Sequence, residues 1–173
     1  EYWGWETIES HLNDFYKNVV FIPYIKREDD VTKSSSIGHS NRHSGYEYGI
    51  KSWKSWCKKH DCELYIMDEL LLPESEMLIT WQRWQVLNIL EHNGVDYNQV
   101  LIVDADSIVH PDCPNFFKMT NNKFTSVLTD GDYEWVNRAI NGYSKLFFNK
   151  EFCIPTYEFF MTGFVIVNKE HKK

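Results

Sequence analysis

"LIVDADSIVHPDCPNFF", residues Leu101–Phe117, decides how this chain is read. Leu101, Ile102 and Val103 form an unbroken apolar run, the mark of a strand buried on both faces of a parallel sheet. The run stops at Asp104-Ala105-Asp106. In an open α/β sheet, ligands collect beyond the carboxyl ends of the strands. Side chains alternate along an extended segment. Asp104 and Asp106 are therefore expected to face one ion together, with Ala105 turned into the wall. Two hard carboxylate ligands suit Mg²⁺ or Mn²⁺, which keep positions open for phosphate oxygens. The competing reading is a plain turn with side chain to backbone hydrogen bonds. The lack of glycine and the apolar Ile108-Val109 that follow favour the site.

Outward from this stretch, strands and helices alternate. "NVVFIPYI" (Asn18–Ile25) reads as a first strand, and the polar, Ser- and His-rich segment after it as a long loop. Tyr46, Ile50, Trp53 and Cys57 fall at helical spacing. "CELYIMD" (Cys62–Asp68) is a second strand. A helix then carries Trp84, Leu87 and Leu90 round one face and stops at Gly94. "QVLIVDAD" is the third strand, Phe124–Asp130 the fourth, and Phe164–Val167 the centre of a fifth. A helix over Glu134–Phe148 separates the last two. The pattern predicts an α/β fold of βαβ units around a mostly parallel central sheet.

The chain has 173 residues and a formal net charge of −7. That supports one domain with a real core. Lys and Arg form no repeated stripe, so a nucleic-acid partner is not expected. No window approaches the ~18 consecutive apolar residues of a membrane span. The start lacks an initiator Met and a signal-peptide pattern, and the end breaks off after a strand-like run. Residues 1–17 therefore read as an extension and 18–173 as a domain cut short at its C-terminus. Cys57, Cys62, Cys113 and Cys153 show no second short-spaced ligand pair for zinc, so structural or free thiols are expected. His39 and His43, among Gly and Ser, read as loop residues.

"YNQVLIVDADSIVHPDCPNFF" resembles the Asp-x-Asp segment of GT-A-fold glycosyltransferases, which use nucleotide-sugar donors. "FFMTGFVIVNK" is similar to that family's next landmark, a small polar residue and Gly before an apolar strand. "TWQRWQVLNIL" is similar to the preceding helix, which often carries a basic residue toward the donor. The resemblance covers most of Val19 to Asn168. It implies a GT-A-like, Rossmann-like layered fold and transfer of a sugar from a nucleoside-diphosphate donor to a glycan, protein or small-molecule acceptor. Asp106 would bind Mn²⁺ or Mg²⁺ directly, and Asp104 the ribose, the metal or both, with Ala105 between them. Arg83 would add positive charge at the diphosphate. Tyr24 would stack on the base, and Thr162, Gly163 and Asp130, with Asp132 near it, would line the sugar and acceptor pocket. Family members supply a third metal ligand and a catalytic or sugar-binding carboxylate downstream. The sequence stops at Lys173 before either, so no catalytic residue is assigned.

Two rivals remain. "IVDADSIV" also superficially fits a phosphatase of the haloacid dehalogenase type, in which Asp104 would attack a phosphoryl group. That family prefers Gly-Thr after the second Asp, and here Ser107-Ile108 stand there. A non-catalytic sugar-nucleotide binding domain is the other. A calcium loop fails because Ile108 takes a ligand position.

Overall fold

The computed structural model describes residues 16–25, 42–129, 131–148 and 154–172. Strand β1 spans Val19–Pro23, helix α1 Arg42–His60 and strand β2 Glu63–Met67. The next helical stretch is broken into α2 (Ile79–Gln82), a 3-10 turn (Arg83–Gln85) and α3 (Val86–His92). Strand β3 covers Gln99–Val103, β4 Thr125–Leu128, helix α4 Tyr133–Phe148 and β5 Phe160–Asn168.

The five strands form one sheet in the order β2-β1-β3-β5-β4. β1 pairs in parallel with both β2 and β3, whereas β5 runs antiparallel to β3 and to β4. The parallel expectation holds for the first three strands; β5 reverses. This reversal matters for position. It brings the start of β5 to the edge where β1 and β3 end.

β3 is central and buried at every residue, which accounts for its lack of polar alternation. Val100 and Ile102 face α3 through Val86, Leu87 and Leu90. Leu101 and Val103 face α1 through Trp53, Trp56 and Cys57. Both sides of the sheet are thus covered, as a parallel sheet requires. α3 ends in a Schellman motif: Gly94 (φ 68°) donates to the Glu91 carbonyl at 3.0 Å and Val95 to that of Leu90 at 2.9 Å.

Two boundaries differ from the sequence reading. α1 begins at Arg42, so the backbone of His43 lies in a helix, not a loop; a helix's first turn tolerates the poor formers Ser44 and Gly45 because its amides lack intrahelical partners anyway. His39 lies outside the described residues. β4 spans Thr125–Leu128 and is shorter than Phe124–Asp130; its register with β5 jumps between Ser126 and Val127, which leaves Thr162, Gly163 and Phe164 of β5 in a bulge. Among the described residues, no helix is long and apolar enough to cross a membrane.

Gln82 is fully buried and its amide is saturated. Its oxygen accepts from the amides of Leu71 and Leu72 at 2.8 and 3.2 Å, and its nitrogen donates to the carbonyls of Leu72 and Met77, both at 2.9 Å. One side chain thus ties the loop after β2 to the turn that carries Arg83. Cys57 and Cys62 are free thiols whose burial pushes them up to about 12 and about 11.

Gln82→Leu leaves four backbone groups, of Leu71, Leu72 and Met77, without their bonds and should cost about 2 kcal/mol in urea unfolding. At pH 8 the native Cys57 and Cys62 should react with Ellman's reagent at less than about a hundredth of the rate of the unfolded chain, because so little thiolate is present.

Candidate functional site

The ends of β1 and β3 present their residues to one cleft. Tyr24 follows β1 and is fixed by the sheet ladder, its amide donating to the Met67 carbonyl at 2.8 Å. Asp104 follows β3, and its amide donates to the Gly163 carbonyl at 3.1 Å, extending the β3–β5 ladder by one residue. The cleft, of about 230 Å³, is lined by Tyr24, Tyr46, Thr80, Arg83 and Asp104 to Asp106, together with Pro23, Ile25 and Ile79. The tyrosine rings meet edge to face at 5.8 Å between centroids.

The Asp-x-Asp segment is not extended. The Ser107 amide donates to the Asp104 carbonyl at 3.0 Å, closing a turn over Asp104–Ser107. The alternation argument therefore fails locally, and glycine's absence did not forbid a turn, since common turns accept most residues at their centre. The turn keeps all three residues at the cleft: Asp104 is half-buried, Ala105 is buried and Asp106 is exposed.

α1 buttresses this turn. A Cβ on Gly49 would lie 2.4 Å from the Ala105 carbonyl oxygen and 2.6 Å from that of Ser107, so helix backbone and turn backbone touch where no side chain fits. The Trp53 indole N–H donates to Ser107 Oγ at 3.0 Å, and Ser107 Oγ donates to the Asp104 carbonyl at 2.6 Å. Ser52 Oγ accepts from the Val109 amide at 3.1 Å and donates to the Gly49 carbonyl at 2.7 Å. In the sequence Trp53 shows only its helical spacing, and Gly49, Ser52 and Ser107 carry no motif that marks a part at the cleft. A small residue in an otherwise bulky helix face was the available signal for Gly49.

Arg83 is not an exposed helix cation. Its side chain is 13% exposed and forms an ion pair with Asp104 Oδ1, whose own side chain is 40% exposed. Arg83 Nε donates to the Thr80 carbonyl at 3.1 Å and Nη1 to the Thr162 carbonyl at 3.2 Å. The other carboxylate oxygen, Oδ2, lies over Gly163, where an added Cβ would sit 2.5 Å from it. Thr162 and Gly163 thus touch the Arg83–Asp104 pair and are not among the residues lining the cleft. Thr162 meets Arg83 through its carbonyl, and Gly163 meets Asp104 through the ladder between β3 and β5. Asp130 lies outside the described residues. Asp132 caps α4, its Oδ1 accepting from the Trp135 amide at 2.8 Å.

The donor set bears on a divalent ion. Among the described residues, no group of three or more His, Cys, Asp or Glu can hold a metal. Two carboxylates at a cleft mouth do fit Mg²⁺ or Mn²⁺ bound mainly through water and phosphate oxygens, the usual arrangement where such ions are not caged by protein. No described residue bonds the carboxylate of Asp106.

No protein-family profile matches the chain, and no curated protein matches it. Among solved structures, one similar to it is described as a glycosyltransferase involved in the glycosylation of the major capsid of PBCV-1. The TM-score is 0.52 at 13% identity, over 90% of this chain and 61% of that one. The likeness is one of fold, and this chain spans about six tenths of that protein's length.

Gly49→Ala should displace the Asp104–Ser107 turn and cost about 1–3 kcal/mol, as overpacking does. Gly142→Ala in α4, where a Cβ meets nothing within 4 Å, should be neutral or stabilising by up to about 1 kcal/mol. Thermal unfolding of the two variants checks the contrast.

Proposed function

We propose that this chain is the donor-binding part of a metal-dependent glycosyltransferase that uses a nucleoside-diphosphate sugar. The observation that carries this reading is the meeting of Tyr24, Arg83, Asp104 and Asp106 round one cleft at the carboxyl ends of β1 and β3, in a fold that a known glycosyltransferase shares.

Each group has a task that its chemistry suits. Tyr24, with Tyr46 packed edge-on against it, offers a ring face to the nucleobase. Arg83, largely withdrawn from water, supplies fixed positive charge for the diphosphate. Asp106, with Asp104 beside it, is the seat of Mn²⁺ or Mg²⁺. When bound, that ion offsets the charge that builds on the departing diphosphate. In the transfer itself, an acceptor hydroxyl oxygen bonds to the anomeric carbon. The bond from that carbon to the diphosphate oxygen breaks, and the diphosphate leaves with the electron pair. The hydroxyl proton passes to a base that none of the described residues is assigned to be. The acceptor is a glycan, protein or small molecule.

The phosphatase reading needs Asp104 as a free nucleophile, and its Oδ1 is paired to Arg83 with Oδ2 against Gly163. A sugar-nucleotide binding domain without turnover uses the same cleft and differs only in the transfer assay.

A panel of nucleoside diphosphates with Mn²⁺ should raise the melting temperature. At a hundredfold excess over Kd, mass action contributes about 2.7 kcal/mol, roughly 5–10 °C for a chain of this length. Asp106→Asn should remove the Mn²⁺-dependent part. Stabilisation that ignores both Mn²⁺ and this substitution contradicts the reading.

A further inference from the structure

We propose that Asp104 is a positioning residue for Arg83, not a cation ligand, and that Arg83 so held presents its Nη2 edge to the phosphate oxygens of a nucleoside diphosphate. This rests on the donor-binding reading above and narrows it. The ion then sits on Asp106 alone among the two carboxylates.

The donors of Arg83 account for this. A guanidinium has five N–H donors in a rigid plane. Nε is committed to the Thr80 carbonyl, and the two on Nη1 to Asp104 Oδ1 and the Thr162 carbonyl. Three donors are fixed from three elements, α2, the end of β3 and the start of β5. That holds the plane against rotation. The remaining two, both on Nη2, meet no described residue, while Arg83 lines the cleft. Free guanidinium N–H donors suit phosphate oxygens, which accept charge-assisted hydrogen bonds.

Asp104 has matching restrictions. Oδ1 carries the Arg83 bond and Oδ2 lies against Gly163. A cation competing for Oδ1 would meet a guanidinium already there, and like charges at that separation repel. Asp106 is exposed, and no described residue bonds its carboxylate. The three charged groups lining the cleft thus divide into a neutral pair that positions donors and one carboxylate that attracts an ion.

The sign of one substitution separates this from simple electrostatics. Removing a carboxylate from an anion site should tighten anion binding if Asp104 acts only as charge or as a metal ligand. If Asp104 orients Arg83, removing it weakens anion binding. Inorganic pyrophosphate is titrated calorimetrically in metal-free buffer into the wild type, Asp104→Ala, Asp104→Asn, Arg83→Gln and the Arg83→Gln/Asp104→Ala double variant. Asp104→Ala should weaken binding about tenfold, the scale of one charge-assisted hydrogen bond, and Asp104→Asn, which keeps an acceptor, by less. The double variant should be no weaker than Arg83→Gln alone, since the two act as a unit. With Mn²⁺ alone, the near-isosteric Asp104→Asn should stay within about twofold of the wild type, whereas Asp106→Asn should lose binding.

Tighter pyrophosphate binding by Asp104→Ala overturns the proposal. So does loss of Mn²⁺ by Asp104→Asn, or a wild type that takes up no pyrophosphate without metal. None of these outcomes touches the donor-binding reading, which stands or falls on stabilisation by nucleoside diphosphate with Mn²⁺.

Discussion

The backbone hydrogen bond from the Asp104 amide to the Gly163 carbonyl, 3.1 Å long, fixes where everything else at the cleft must be. Upstream of it, β3 is buried on both faces, and a one-residue slip would exchange the side chains that face α1 with those that face α3. Downstream, the chain turns at once. The ladder therefore delivers a half-buried carboxylate to the sheet edge at a set height. Because β5 is antiparallel, the same bond places Gly163 beneath that carboxylate and the Thr162 carbonyl beside it. A parallel fifth strand would have brought its other end to this edge.

Around that point two supports converge from opposite faces of the sheet. α1 presses its backbone at Gly49 against the carbonyls of Ala105 and Ser107 and locks the turn through Trp53 and Ser52. On the other side, Gln82 ties the loop after β2 to the turn bearing Arg83, and Arg83 reaches back to Asp104. The buried amide and the ion pair are adjacent in sequence. Displacing the loop therefore displaces the guanidinium. Sites held on rigid elements by such secondary contacts keep their geometry better than sites on loops alone.

Much of this was legible in the sequence, and the parts that were not have identifiable causes. The strands of the core announce themselves because a doubly buried strand is a nearly continuous apolar run, as in β1 and in Val100–Val103 of β3. The aspartates stood out because polar residues rarely follow such a run without purpose. Strand direction was not legible: Phe164–Val167 reads the same whichever way the strand runs, since periodicity carries no sign. The turn at Asp104 was argued away for want of glycine, although most turns need none. The role of Arg83 was half visible. Its charge can be read, but its partner lies 21 positions away and only the fold brings them together. Gly49 left only the trace of a small residue on a bulky helix face, because close approach of two backbones has no periodicity.

The central claim is that the cleft between the ends of β1 and β3 holds a nucleoside diphosphate with a divalent ion. A crystal grown with Mn²⁺ and a nucleoside diphosphate, with anomalous scattering collected at the manganese edge, tests it most directly. The account predicts one anomalous peak within bonding distance of the Asp106 carboxylate, with the diphosphate between that ion and Arg83 and the base beside Tyr24. A peak seated elsewhere, or a nucleotide bound outside this cleft, would contradict it.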